Sequence, residues 1–239
     1  MSLFPQTVPI YVSLIFLLVI PIPIFMIANL GRKGIQQSAE GGSGKTVFFA
    51  VLIFYGVFLV YTTIAAFQGW FTELTLPPKI LLLTTLPLLI FLLVVISSLP
   101  VYKKVLSSLS TSELIRLHIF RLIGSFFLIL TFYGTLPGRM GFLAGFGDLI
   151  TAVSSIWVAR IVQQKASNWK TIGLVWNTFG FLDIIATSAT AFILTKLSIE
   201  TGVQGVEILG EFPFCFIPAF APATIIFLHV SIYRKLLKG

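Results

Sequence analysis

The 239-residue chain is 57% hydrophobic and only 10% charged, with a mean hydropathy of +1.02, a composition that excludes an ordinary soluble domain and points to a bilayer. Its net charge of +8 would suggest nucleic acid in a soluble protein. Here the basic cytoplasmic loops typical of membrane proteins account for it, so no nucleic-acid partner is expected.

Apolar runs of about 20 residues, long enough to cross a ~30 Å hydrocarbon core as helix, recur in chain order near 8–30, 46–68, 79–99, 114–136, 139–161, 172–195 and 212–233. They are continuous rather than alternating, which argues against barrel strands. The predicted fold class is therefore all-α: a polytopic membrane protein with seven transmembrane helices in a single domain, 1–239. The first run has no basic stretch before it and no small-residue cleavage site after it, so it reads as a span rather than a signal peptide. It carries Pro21 and Pro23.

Between the first two runs, Ala39 to Thr46 reads AEGGSGKT, a relaxed phosphate-loop pattern. Such loops need a strand before them and a strand-borne acid elsewhere. Neither is in view, and the segment reads as a flexible loop ending at the charged start of the second helix.

The loops set an orientation. With the N-terminus outside, the inner segments hold Arg32, Lys33, Lys45, Lys103, Lys104, Arg116, Arg160, Lys165, Lys170, Arg234, Lys235 and Lys238, and the outer ones hold Lys79, Arg139 and Lys196. This bias predicts an outside N-terminus and an inside C-terminus. The loop acids Glu73, Glu200, Glu207 and Glu211 all fall outside, and the 196–211 connection is long enough to form a small outer cap.

The fourth run opens with RLHIFRLIG, Arg116 to Gly124, and brings His118 and Arg121 towards the bilayer. A shallow Arg121 would snorkel to the inner interface. The deeper placement is favoured, because Asp148 and Asp183 on the next two runs need a cationic partner. In the fifth run Gly138, Gly141, Gly145, Asp148, Ala152, Ser155 and Ala159 form a small-residue line that permits close helix approach. In the sixth, Asp183 lies mid-span, on a face shared with Trp176, Gly180, Thr187 and Thr190. Charges at such depth cost at least about 2.5 kcal/mol each, so they face the bundle interior and pair.

The seventh run carries Pro213, Pro218 and Pro222, which free backbone carbonyls, and places Cys215 and His229 on one face. Cys215, the single cysteine, reads as apolar packing. His118 and His229 are each about four residues from the inner ends of their runs. Satisfied interior histidines, proton-handling groups and a pair of axial haem ligands remain open as readings. Retinal is excluded, because the only lysines of the last run, Lys235 and Lys238, are at its inner end. No catalytic residue set and no metal site is recognisable, and the chain is not expected to be an enzyme.

The segments FRLIG at 120–124, GFGD at 145–148 and WNTFGFLD at 176–183 resemble an uncharacterised family of bacterial multi-pass membrane proteins with F-R-x-x-G, G-x-G-D and W-N-x-x-G-x-L-D segments in that order. The resemblance covers about 65 residues and carries no function. It implies that Arg121, Asp148, Asn177 and Asp183 belong to one constellation, in a protein of the bacterial inner membrane. The expected function is a proton- or ion-coupled transporter for a small solute. The alternatives are a non-catalytic sensor or accessory subunit, with a protein partner or as a homo-oligomer, and a bis-histidine haem protein.

Overall fold

The computed structural model describes residues 3–38 and 42–238, and among these every regular element is helical. Ala39, Glu40 and Gly41 of the AEGGSGKT segment lie outside the described residues; Ser43 caps the following helix, its side chain accepting from the Thr46 N–H at 3.3 Å.

In chain order the helices are α1 (Ile10–Gln37), α2 (Gly44–Phe67), α3 (Leu81–Ile96), α4 (Pro100–Ser108), α5 (Thr111–Phe132), α6 (Gly138–Gln164), α7 (Trp169–Thr201) and α8 (Phe216–Lys238). Six of them are long and apolar enough to cross a membrane, and a seventh candidate span is the pair α3 and α4, bent by 83°. The bend has a cause in the sequence: Leu99 is extended and Pro100 starts the next helix at its first position. The 16 residues of α3 alone reach about 24 Å, short of a full hydrocarbon core.

Several expected boundaries move, among them the end of the sixth run, which extends to Thr201, and two others. The first helix continues past residue 30 to Gln37, so residues 31–37, outside the predicted run, are helical. The last helix begins at Phe216, which leaves Pro213 in the turn before it and only Pro222 in its interior.

The helix most enclosed by protein is α8, with 67% of its apolar window buried against 11% for α2. It touches α2, α3, α5 and α7. Its interior proline has no N–H for the Pro218 carbonyl four residues back, and Thr85 of α3 donates to that carbonyl instead at 2.7 Å. Pro87 of α3 frees the Leu83 carbonyl in the same way, and the Tyr61 hydroxyl of α2 donates to it at 3.1 Å. Both of these freed carbonyls are thus met by a hydroxyl of a neighbouring helix, as expected in a medium with little water. Thr85→Val keeps the shape and removes the donor, so it is expected to cost about 1–3 kcal/mol. A thermal melt in detergent should show a drop of several degrees; an unchanged midpoint would mean that the bond contributes nothing.

Apolar clusters divide the bundle along its length. One, including Phe16, Phe126, Phe127, Phe214 and Phe216, fills the end carrying the 68–80 and 202–215 loops. Another, including Leu109, Ile115, Ala159, Ile232 and Leu236, fills the opposite end. The 202–215 connection contains a short 3-10 turn, Glu207–Gly210, whose Ile208 and Leu209 pack into the first cluster. It covers this end of the bundle, within a connection shorter than the expected 196–211 because α7 runs on to Thr201.

Candidate functional site

Between those two clusters lies the polar constellation, and it begins with a change in helix winding. Residues His118–Gly124 form a 3-10 turn inside α5. With three residues per turn, side chains at i, i+3 and i+6 stack one above another. His118, Arg121 and Gly124 therefore share one line, and all three are buried.

The Arg121 side chain is 0% exposed. Its Nε donates to Asp148 Oδ1 at 2.6 Å, its Nη1 donates to the Gly180 carbonyl at 3.0 Å and meets His229 Nε2 at 3.2 Å, and its Nη2 donates to Asp183 Oδ2. The guanidinium thus joins α5 to α6, α7 and α8, and the snorkelling alternative does not describe it.

The state of His229 follows from its neighbours. The Asn177 amide donates through Nδ2 to the His229 backbone carbonyl at 3.1 Å, which turns Oδ1 towards the imidazole, 2.8 Å from Nδ1. An amide oxygen only accepts, so Nδ1 carries the proton. Nε2 is then a lone pair facing Arg121, and His229 is neutral. Asn177, which the sequence placed in the constellation, sets this tautomer.

His118 differs. Its ring packs 4.3 Å from that of His229, centroid to centroid, and edge-on to Trp176 at 5.3 Å. Neither of its nitrogens has a hydrogen-bond partner among the described residues, although the side chain is buried. Two imidazoles this close leave no gap for a porphyrin plane between them, so the pair does not fit axial haem ligation.

Glycines fit the network where it is tightest. A Cβ on Gly124 would meet Asp148 Oδ2 at 2.2 Å, one on Gly147 would meet Asp183 Oδ1 at 1.7 Å, and one on Gly180 would meet the His229 ring at 2.7 Å. Each named segment therefore supplies both a polar group and a glycine against which a polar group of another helix lies. Sequence reasoning assigned the glycine line of α6 to packing, which holds for Gly141 and Gly145 against Thr131 and Leu128. It missed Gly147, which stands off that line; the only signal was the second glycine of GFGD, directly before the aspartate.

A cavity of about 120 Å³ opens near the 68–80 and 202–215 loops and ends at Arg121, Gly124 and Asp148. Its walls are mostly apolar, from α1, α3, α5, α7 and α8, with Thr187, Ser188 and Thr195 as polar exceptions. Glu73, Lys79 and Glu207 stand at its mouth. Glu73 pairs with Lys79, and Glu207 is held by the Ser198 hydroxyl and the Gly205 N–H. On the same side of the bundle, half-burial raises the Glu211 carboxyl above its ordinary value. Asp183 is not part of the cavity lining.

The family described as a domain of unknown function (DUF8737) matches residues 77–237, a stretch from α3 to the end of α8 that holds every residue of the constellation. No curated protein and no solved structure matches the chain.

Proposed function

The chain belongs to the DUF8737 family, and from the constellation that its matched region carries we propose that the protein is a proton-coupled carrier of a small solute. The cavity reaching Arg121 and Asp148 from one end of the bundle is the observation that carries this reading. In this reading the chain forms seven spans in a bacterial inner membrane, counting the bent α3 and α4 as one. The N-terminus is outside and the C-terminus inside, as the basic loops favour, and the cavity opens outward.

The charge arithmetic supports coupling. One guanidinium faces two carboxylates, Asp148 and Asp183, while His229 accepts from Arg121 as a neutral ring. The set carries one negative charge in excess, which a proton neutralises. A proton on one aspartate releases it from Arg121 and leaves the other paired, and that exchange links proton occupancy to the floor of the cavity.

Proteoliposomes with an imposed pH gradient and an internal pH dye provide the test, with small amines, carboxylates and neutral solutes added in turn. The expected result is solute-dependent proton flux in the wild type and only background flux in Asp183→Asn, with the variant still eluting as a folded species. Solute-independent traces throughout the panel would sink the carrier reading.

A second reading has its own support. Arg121 has bonds to four partners, and three glycines are shaped around the network. Such closure also suits a non-catalytic sensor or accessory subunit in which the charges lock α5 to α8. In that case Asp183→Asn lowers stability and moves no flux.

A further inference from the structure

The floor of the cavity is not electrically symmetric. The Arg121 side chain is 0% exposed, while that of Asp148 is 12% exposed. Asp148 Oδ1 is taken by Arg121, but Oδ2, beside Gly124, has no hydrogen-bond donor among the described residues. A solute descending the cavity therefore meets a carboxylate oxygen with free lone pairs. An anion would instead have to compete for a guanidinium already held by two carboxylates.

Above this oxygen the wall is apolar and aromatic, with Phe120, Phe127, Phe216 and Phe220 alongside Ile184 and Ile225. Ring faces favour a cation, and the hydrocarbon surface favours an alkyl body. A bare metal ion needs six or so oxygen ligands, whereas the side chains deep in the wall add to Asp148 only hydroxyls such as Thr187 and Ser188, the carboxylates Glu73 and Glu207 standing at the mouth.

Charge at the entrance agrees. The chain carries a net +8, yet at the end of the bundle where the cavity opens the side chains Glu73, Glu200, Glu207 and Glu211 stand against Lys79, Arg139 and Lys196, four acids to three bases. The mouth is thus at the one end of this basic protein that does not repel a cation.

We propose that the cavity binds a small protonated alkylamine, its ammonium on Asp148 Oδ2 and its carbon chain against the Phe and Ile side chains above. The inference deepens the carrier reading, and takes from it only that a solute occupies this cavity. A volume of about 120 Å³ limits that solute to a few heavy atoms.

Propylammonium chloride, sodium propionate and 1-propanol share a chain length and differ in charge, so they are the probes. With purified full-length protein, propylammonium is expected to raise the melting temperature in a saturable way and to give binding heat, while the other two do neither. Asp148→Asn is expected to weaken propylammonium binding at least tenfold. Should that variant not fold, Ala191→Phe fills the cavity above the network and is expected to abolish binding while leaving the bonds of Arg121 intact. Tighter binding of propionate or propanol, or undiminished propylammonium binding in Ala191→Phe, would overturn the inference. The carrier reading is scored separately by the flux assay. Propylammonium binding without proton flux supports the cation site and removes the carrier, and flux driven by propionate or propanol alone retains the carrier and removes the cation site.

Discussion

Arg121→Gln is expected to leave little folded protein. The substitution removes the only cation between two buried carboxylates, and it also withdraws donors from the Gly180 carbonyl and from His229 Nε2. Deleting one partner of a buried ion pair costs about 3–5 kcal/mol, because the remaining charge has neither water nor counter-charge. Against a total stability of about 5–15 kcal/mol, this is a large share. Arg121→Lys should recover little: a point charge with three donors cannot span Asp148, Asp183, a carbonyl and an imidazole in the planar fork they require. Recovery is expected instead from the triple variant Arg121→Gln, Asp148→Asn, Asp183→Asn, in which no charge is buried. The measurement is the monodisperse fraction after detergent extraction, followed by a thermal melt. A single Arg121→Gln variant as stable as the wild type would mean that the guanidinium is not the centre of the bundle.

The depth of Arg121 was legible in the sequence because burial creates a demand. Two aspartates placed well inside apolar runs require a cation, and the chain offers one at comparable depth. The membership of Asn177 had a different source: it was implied by the family resemblance of the WNTFGFLD segment, not by any demand of burial. The means by which α5 turns Arg121 inward was not legible. HIFRLIG has the composition of ordinary helix, and its 3-10 winding occurs where α5 lies close against α6, a tertiary feature that local propensity does not encode.

The same limit applies to boundaries and to the histidines. The first apolar run ended near residue 30 in the sequence, yet Gly34 packs against Val105 of α4, and α1 continues to Gln37 alongside that partner. His118 and His229 looked equivalent by position. They differ because Asn177 and Arg121 hydrogen-bond the ring of His229 while neither nitrogen of His118 has a partner among the described residues, a distinction of side-chain direction that spacing alone does not encode.

Gly147→Ala should rank among the most damaging single-methyl additions in the chain, and comparison with other glycines shows why. Its Cβ would stand 1.7 Å from Asp183 Oδ1. A clash with the far end of a flexible side chain is relieved by rotation, but Oδ1 belongs to a carboxylate whose other oxygen is tied to Arg121. Either α6 moves away from α7 or the ion pair opens. Overpacking of this kind costs about 1–3 kcal/mol and can cost more when the blocked atom is anchored. Gly145→Ala meets Leu128 Cγ at 2.6 Å, a side chain able to change rotamer, and should cost less. Gly56→Ala meets nothing within 4 Å and should be neutral or stabilising by up to about 1 kcal/mol through helix propensity. The expected order of melting temperatures is therefore Gly56→Ala above Gly145→Ala above Gly147→Ala. If Gly147→Ala melts with Gly56→Ala, the second glycine of GFGD is not a seat for Asp183, and the α6–α7 contact is looser than these distances require. If the order holds, close approach of two helix backbones is what brings both aspartates within reach of one arginine, and the glycines belong to the site as fully as the charges do.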